Sequence, residues 1–109
     1  MIRALLKHPG KAPHWVNLEG TDESIRQILQ AQWDVRLGGK RNVRLFWDGE
    51  GHQSYKMVNL AMPGLGIIRG SLLMCACGPA GWASLEGTDL EEAQALLAAG
   101  REVLDPLVG

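Results

Sequence analysis

The chain has 109 residues, of which 46% are hydrophobic and 21% charged, and its formal net charge is −1 at pH 7. This composition is typical of one globular domain with its own core. The near-neutral charge excludes the dense carboxylate surface of a DNA mimic and gives no general attraction to nucleic acid or an anionic membrane. The longest apolar run, 67–77, is too short to span a bilayer, and the strand-like opening residues are too few for a signal peptide, so we expect a cytoplasmic location.

The first third of the chain predicts a β-hairpin followed by a helix. Residues 2–7 are aliphatic and end at Pro9-Gly10, a strong turn signal, and residues 13–18 alternate in polarity. Thr21 is placed to cap a helix that has acidic residues in its first turn and aliphatic residues at helical spacing.

The middle of the chain predicts further strands and one loop. A short strand at 35–37 and a firmer one at 42–47 lead into an acidic, glycine-containing turn at 48–51, from which 53–58 returns as the partner strand. Residues 59–66 predict a loop. This loop either lets backbone amides approach an anion or a partner, or is a plain connection between strands.

The last part of the chain predicts the longest strand, 67–77, and a second helix that starts at Thr88 with a capping box closed by Glu91. The resulting order is β-β-α-β-β-β-β-α with mostly hairpin connections. It predicts an α+β fold with a mainly antiparallel sheet and two helices packed on one face. We expect residues 1–109 to form a single domain.

One phrase of the sequence occurs twice. Trp15-Val-Asn-Leu-Glu-Gly-Thr-Asp22 returns as Trp82-Ala-Ser-Leu-Glu-Gly-Thr-Asp89, each time ahead of a predicted helix. This predicts an internal ββα-type pseudo-repeat with halves at about 2–30 and 68–97, and a tail at 101–109. The two tryptophans then share a packing role where strand and helix meet.

Cations and aromatic rings are interleaved in the middle of the chain. They are Arg36, Lys40, Arg41 and Arg44, with Trp33, Phe46 and Trp47. Cations suit phosphate and rings suit the stacking of a base, so this cluster predicts a nucleotide-like ligand. The alternative is a sheet edge that is charged to resist aggregation. The candidate ligand-binding residues are Arg36, Arg44, Lys56 and Arg69 for phosphate, Asn59 for a base or ribose edge, and Trp33 and Trp47 for stacking.

Cysteine and histidine offer a weaker hypothesis. Cys75 and Cys77 face the same side of a predicted strand and could supply zinc with thiolates, with His8, His14 or His52 completing the set. A second pair of ligands is missing, which favours two small buried hydrophobic residues. His8 and His14 are expected to approach each other across the first hairpin. No nucleophile elbow, metal-binding helix or phosphate loop occurs, so we expect a non-enzymatic protein without metal or cofactor.

Several short motifs occur in an order that resembles a known family. They are the aliphatic opening strand, Pro9-Gly10-Lys11 with Pro13, a helix, the 48–51 turn, Asn59 in a loop, and Ser84-Leu85 with Thr88-Asp89 before the last helix. Together they resemble a family of short phage and mobile-element proteins classed as a domain of unknown function. The resemblance covers about residues 1–97 and brings no catalytic residues. It implies a phage or mobile-element origin, a bacterial host and an accessory or counter-defence role.

Three functions follow as hypotheses. The leading one is a counter-defence factor that sequesters a nucleotide-type immune signal. The alternative is a protein-binding module that inhibits or adapts a host protein through a sheet edge or the 59–66 loop, and the third is a weak nucleic-acid binder. We expect no membrane partner, and exposed sheet edges with an apolar tail lead us to expect a homo-oligomer, in the first place a dimer.

Overall fold

The computed structural model describes residues 1–32, 34–50 and 56–102, which form strands and helices in the order β-β-α-β-β-β-β-β-β-α. The elements are β1 (Ile2–Lys7), β2 (His14–Leu18), α1 (Asp22–Leu29), β3 (Val35–Lys40), β4 (Val43–Asp48), β5 (Val58–Met62), β6 (Gly66–Arg69), β7 (Leu72–Gly78), β8 (Gly81–Ala83) and α2 (Gly87–Ala99). The α+β class and the mainly antiparallel sheet are therefore confirmed. None of the helices formed by these residues is long and apolar enough to cross a membrane.

Strand β7 lies at the centre of the main sheet. The strand order is β2-β1-β7-β4-β3, all neighbouring strands are antiparallel, and β8 pairs with the end of β7. Successive residues of β7 alternate between two hydrophobic clusters: Leu72 and Met74 belong to one, Leu73 and Cys75 to the other. Both faces of β7 are therefore buried, which explains why its sequence is apolar without alternation.

The helices cover opposite faces of this sheet. Ile25 and Leu29 of α1 pack on the cluster that contains Leu73, and this side is the α1 face. Ala93 of α2 packs on the cluster that contains Met74, and this side is the α2 face. The prediction of two helices on one face is wrong, because an apolar strand that is buried on both sides needs a cover on each.

The repeated phrase begins its two helices in different ways. Helix α1 starts at Asp22 and Thr21 is its N-cap, accepting a hydrogen bond from the Ser24 amide at 3.2 Å. Helix α2 starts two residues earlier in the phrase, at Gly87, with Glu86 as an N-cap whose side chain makes no capping bond. The predicted capping box from Thr88 to Glu91 is therefore wrong.

The two halves of the predicted pseudo-repeat share the order strand, strand, helix and the antiparallel pairing of their two strands. The two strand pairs differ in extent, since β1 pairs with β2 over five residues and β8 pairs with the end of β7 over three. The helices that follow lie on opposite faces. The tryptophans differ as well: Trp15 is 36% exposed under the Arg3 guanidinium, and Trp82 packs against Phe46 on the α1 face. A duplication is not confirmed.

Strands β5 and β6 form a separate two-stranded sheet over the α2 face. The predicted loop at 59–66 is therefore mostly strand, with a turn closed by the bond from the Leu65 amide to the Met62 carbonyl at 3.0 Å. The predicted strand 67–77 is divided at Gly70, where φ is +77° and the chain passes between the two sheets. The predicted return strand 53–58 lies largely outside the described residues, and both edges of β4 are occupied by β3 and β7.

Candidate functional site

A groove opens on the α1 face between helix α1 and strands β3 and β4. Its volume is about 390 Å³. We call it the α1 groove, and its lining residues are Asp22, Glu23, Ile25, Arg26, Val35, Leu37, Phe46 and Trp82. The floor and outer wall are apolar and aromatic, and the charged side chains all come from α1. This combination of an apolar surface with a few convergent polar groups is typical of a binding site.

Trp82 is held in the groove from two directions. Its indole N–H donates a hydrogen bond of 2.9 Å to Oδ1 of Asp22. Its ring meets the Phe46 ring edge to face, with centroids 5.0 Å apart. Since the edge-to-face geometry is favourable for aromatic pairs, the indole is a fixed part of the floor.

The rim of the groove carries two carboxylates and one guanidinium. The Arg26 guanidinium is paired with the Glu23 carboxylate, and Gln27 also donates to Glu23 at 3.3 Å. The carboxylate of Asp22 accepts only the neutral indole N–H of Trp82 among the described residues. Among the described residues, the rim therefore retains one carboxylate without a cation partner beside aromatic rings.

The outer wall of the groove is the edge strand β3. Leu37 lies opposite Phe46 in the register with β4, and 52% of its surface is exposed. Val35, two residues earlier on the same face, packs on the cluster beneath α1. An aliphatic side chain this exposed beside an aromatic floor marks the part of the groove that is open to a ligand.

Of the predicted ligand-binding residues, Arg36 and Trp47 are neighbours. They lie directly opposite each other on β3 and β4, on the α2 face, where Trp47 packs against the core. The Arg36 Nε donates to Oδ2 of Asp34 at 2.9 Å. Arg44 pairs with Cys75 in the register, which puts it on the α1 face, and its guanidinium donates to the carbonyls of Arg41 and Val43 at 2.5 and 3.1 Å.

Lys56 and Arg69 hold structural positions. The Lys56 ammonium lies 2.7 Å from Oδ2 of the buried Asp48 and donates to the carbonyls of Leu29 and Gln30, both at 3.0 Å. It thus satisfies the last carbonyls of α1, where the helix dipole favours a cation. Arg69 donates to the Lys56 carbonyl at 3.1 Å.

Asn59 is buried, with 2% of its surface exposed. Its Oδ1 accepts from Lys7 Nζ at 2.9 Å, and its Nδ2 donates to the carbonyls of Lys7 and Gly70 at 2.7 and 2.9 Å. These bonds occupy the amide that the sequence analysis assigned to a base or ribose edge. Trp33, His52 and the apolar tail lie outside the described residues.

The cysteines and histidines that the structure describes are not grouped as metal ligands. Among residues 1–32, 34–50 and 56–102, no group of three or more His, Cys, Asp or Glu side chains could hold a metal ion. Burial raises the pKa of the Cys75 thiol to about 12, which suits a buried hydrophobic residue. The predicted approach of His8 and His14 is confirmed, with ring centroids 5.3 Å apart, and Nδ1 of His8 is hydrogen bonded to Ser71 Oγ at 2.6 Å.

Sequence reasoning did not identify the α1 groove. The sequence predicts a packing role for Trp82, and it places Leu37 in a short strand without indicating that its side chain is exposed. The available signal was the position of Leu37 between Arg36 and the glycine pair at 38–39, because an aliphatic residue isolated in a polar strand has little reason to be buried.

This chain was compared with models of protein families, with curated proteins and with solved structures, and none of them matches it.

Proposed function

We propose that this protein is a non-enzymatic binding protein that recognises a segment of a partner protein in the α1 groove. The single observation that carries the proposal is the half-exposed Leu37 beside the Phe46–Trp82 floor, at a rim where Asp22 has no cation partner in the described part of the chain. The resemblance to phage and mobile-element proteins adds the further proposal that the partner belongs to a bacterial host, whose protein is inhibited or adapted.

The chemistry of the groove favours a segment that is apolar and basic. An apolar side chain would remove Leu37 and the aromatic floor from water. A lysine or arginine next to it would reach both the Asp22 carboxylate and the ring faces, where charge pairing and cation–π attraction act together. A phosphate would meet the negative rim first, so this groove disfavours a nucleotide.

Nucleotide binding is the second candidate function, and it would use a different surface, on the α2 face. Arg36 and Trp47 lie opposite each other on the α2 face, which puts a cation beside an aromatic ring. Sequestration of a nucleotide-type signal would have to use this pair without Arg44, which lies on the α1 face.

The proposal is tested by selecting peptides from a random display library on the immobilised protein. The affinity of the selected peptides is then measured by fluorescence anisotropy. We expect the selected peptides to place lysine or arginine next to a large apolar residue. Leu37→Lys should weaken their binding by about tenfold or more, equal to about 1.4 kcal/mol. Asp22→Asn keeps the acceptor for Trp82 but removes the charge, so it should weaken binding less and reduce its dependence on salt.

Ile67→Lys is the matched control, because Ile67 is an aliphatic strand residue of similar exposure, 59%, on β6 outside the groove. It should leave peptide binding unchanged. Selected peptides that bind Leu37→Lys as well as the parent would contradict the proposal. Nucleotide binding that is lost in Arg36→Ala and Trp47→Ala would favour the second candidate instead.

A further inference from the structure

We propose that strand β3 pairs with β3 of a second copy of this chain, antiparallel and with the two-fold axis at Leu37. The interface joins two main sheets edge to edge. This interface is independent of the proposed function. Only the significance of the two adjoining α1 grooves in the dimer rests on that function.

The outer edge of β3 is unpaired in the described part of the chain. Strand β3 is the last in the sheet order and pairs only with β4. Half of the backbone N–H and C=O groups of an edge strand point away from its neighbour, and they form a template for another strand. Arg36 and Lys40 are the charges that would normally protect such an edge, so any second copy must accommodate both.

Symmetry limits the possible pairings. Two identical antiparallel strands in one sheet are related by a two-fold axis perpendicular to the sheet. This axis lies midway between the two copies of one residue, and we name it by that residue. The α1 faces of both copies are then on the same side of the joined sheet. An axis at residue 36 would place Arg36 against Arg36 of the other copy, and an axis at 38 would place Arg36 against Lys40. Both pairs are directly opposed like charges, which destabilise a sheet. An axis at 35 or 39 opposes no like charges, but it leaves half or more of β3 without a partner strand, because β3 spans only Val35–Lys40.

The axis at Leu37 avoids both conflicts. On the α2 face it places Asp34 of each copy opposite Lys40 of the other, and Arg36 opposite Gly38. Asp34 continues the pairing of β3, since its carbonyl accepts from the Gly49 amide at 2.8 Å, and both Asp34 and Lys40 are exposed. In one copy the Asp34 carboxylate accepts from Arg36 Nε at 2.9 Å, and Lys40 of the other copy would join this pair as a second cation. The extent of strand overlap and this charge complementarity together select a second copy in this register as the occupant of the edge.

The α1 face supports the same register. The two Leu37 side chains become cross-strand neighbours, and Val35 of each copy faces Gly39 of the other. The pairing thus brings together two leucines that are each 52% exposed in a single copy. Because the two-fold axis leaves the α1 faces of both copies on the same side of the joined sheet, the two α1 grooves lie next to each other. Each copy contributes Leu37 to the wall between them.

The test is charge reversal followed by mixing, measured by sedimentation equilibrium over a wide range of protein concentration. In a dimer of the Lys40→Asp variant, Asp34 of each copy faces an aspartate at position 40 of the other copy. In a dimer of the Asp34→Lys variant, Lys40 of each copy faces a lysine at position 34 of the other. Each variant alone should raise the dimer dissociation constant by about tenfold or more, since two like-charge pairs replace two opposite ones. An equal mixture of the two variants restores both opposite pairs, so heterodimers should form with about the parent's affinity.

Lys11→Asp is the control for the change in net charge, because Lys11 is exposed in the β1–β2 turn. It should dimerise like the parent. A parent that stays monomeric at every concentration overturns the proposal, and so do variants that dimerise alone or fail to recover on mixing. Peptide binding by the monomeric Lys40→Asp variant is measured separately, so a failed interface and a failed groove give different results.

Discussion

Asn59 and Lys7 are joined by two hydrogen bonds in opposite directions: Lys7 Nζ donates to Asn59 Oδ1 at 2.9 Å, and Asn59 Nδ2 donates to the Lys7 carbonyl at 2.7 Å. The pair links β1 of the main sheet to β5 of the small sheet. Lys7 also lies 3.3 Å from Oε1 of Glu102, just after α2. The Lys7 side chain therefore ties three parts of the fold together.

We expect Asn59→Ala to destabilise the protein by about 3 kcal/mol, because buried donors and acceptors lose their partners. The free energy of unfolding in urea measures this loss. Asn17→Ala, on the exposed side of β2, is the control and should cost less than about 0.5 kcal/mol. A stable Asn59→Ala variant that had lost a ligand would instead restore the role in binding that the sequence suggested.

We expect the main role of the Lys56 ammonium to be the stabilisation of the buried Asp48 carboxylate rather than the binding of a ligand. Lys56→Met leaves a carboxylate that is 4% exposed without its cation, and we expect a cost of about 3–5 kcal/mol. Asp48→Asn combined with Lys56→Met should cost clearly less than the sum of the two single changes, as a double-mutant cycle of urea unfolding would reveal. Lys11→Met serves as the control, and additive costs would argue against the coupling.

The repeated phrase provides a matched pair of substitutions. Thr21→Ala removes the N-cap of α1 and should destabilise the protein by about 1 kcal/mol. Thr88→Ala changes the equivalent residue, which lies inside α2 and makes no capping bond, so its effect should be small. Thermal unfolding of both variants measures the difference. Equal losses would mean that the second phrase is capped like the first.

The stability should fall as the pH drops below the ordinary range of histidine. Burial first, then His14 and Lys11, lower the pKa of His8 from 6.5. Between 6.5 and that lower value the unfolded chain binds more protons than the folded one, so the free energy of unfolding rises with pH and falls on acidification. Urea unfolding across this window should have a smaller pH slope in His8→Gln. An unchanged slope, or a His8 pKa above 6.5 by NMR, would contradict the assignment.

Much of the fold was predictable from local signals. The turn after β1, the alternation in β2 and the cap at Thr21 are each contained in a few residues, and all are confirmed. The faces of the helices were predicted wrongly, although one signal existed: residues 72–76 are apolar without alternation, which indicates a strand covered on both sides. The start of α2 could not be predicted, because the same phrase begins two helices at different residues.

The candidate site was harder to predict for a physical reason. A lysine or an asparagine in a sequence does not reveal whether a distant carboxylate or carbonyl already satisfies it. Lys56 and Asn59 find such partners 8 and 52 residues away, and the hydrogen bonds to those partners define their roles. Leu37 is the opposite case, since its exposure depends on the absence of a covering element beyond β3 among the described residues.

The central position of β7 has a consequence for the order of folding. The two strands that β7 joins, β1 and β4, precede it in the chain, so during synthesis two hairpins exist before the strand that connects them. Until β7 arrives, β1 and β4 each present an unpaired apolar edge, which makes the nascent chain prone to aggregate. The insertion of β7 closes both edges at once and requires contacts across most of the chain, so it should be the slow step.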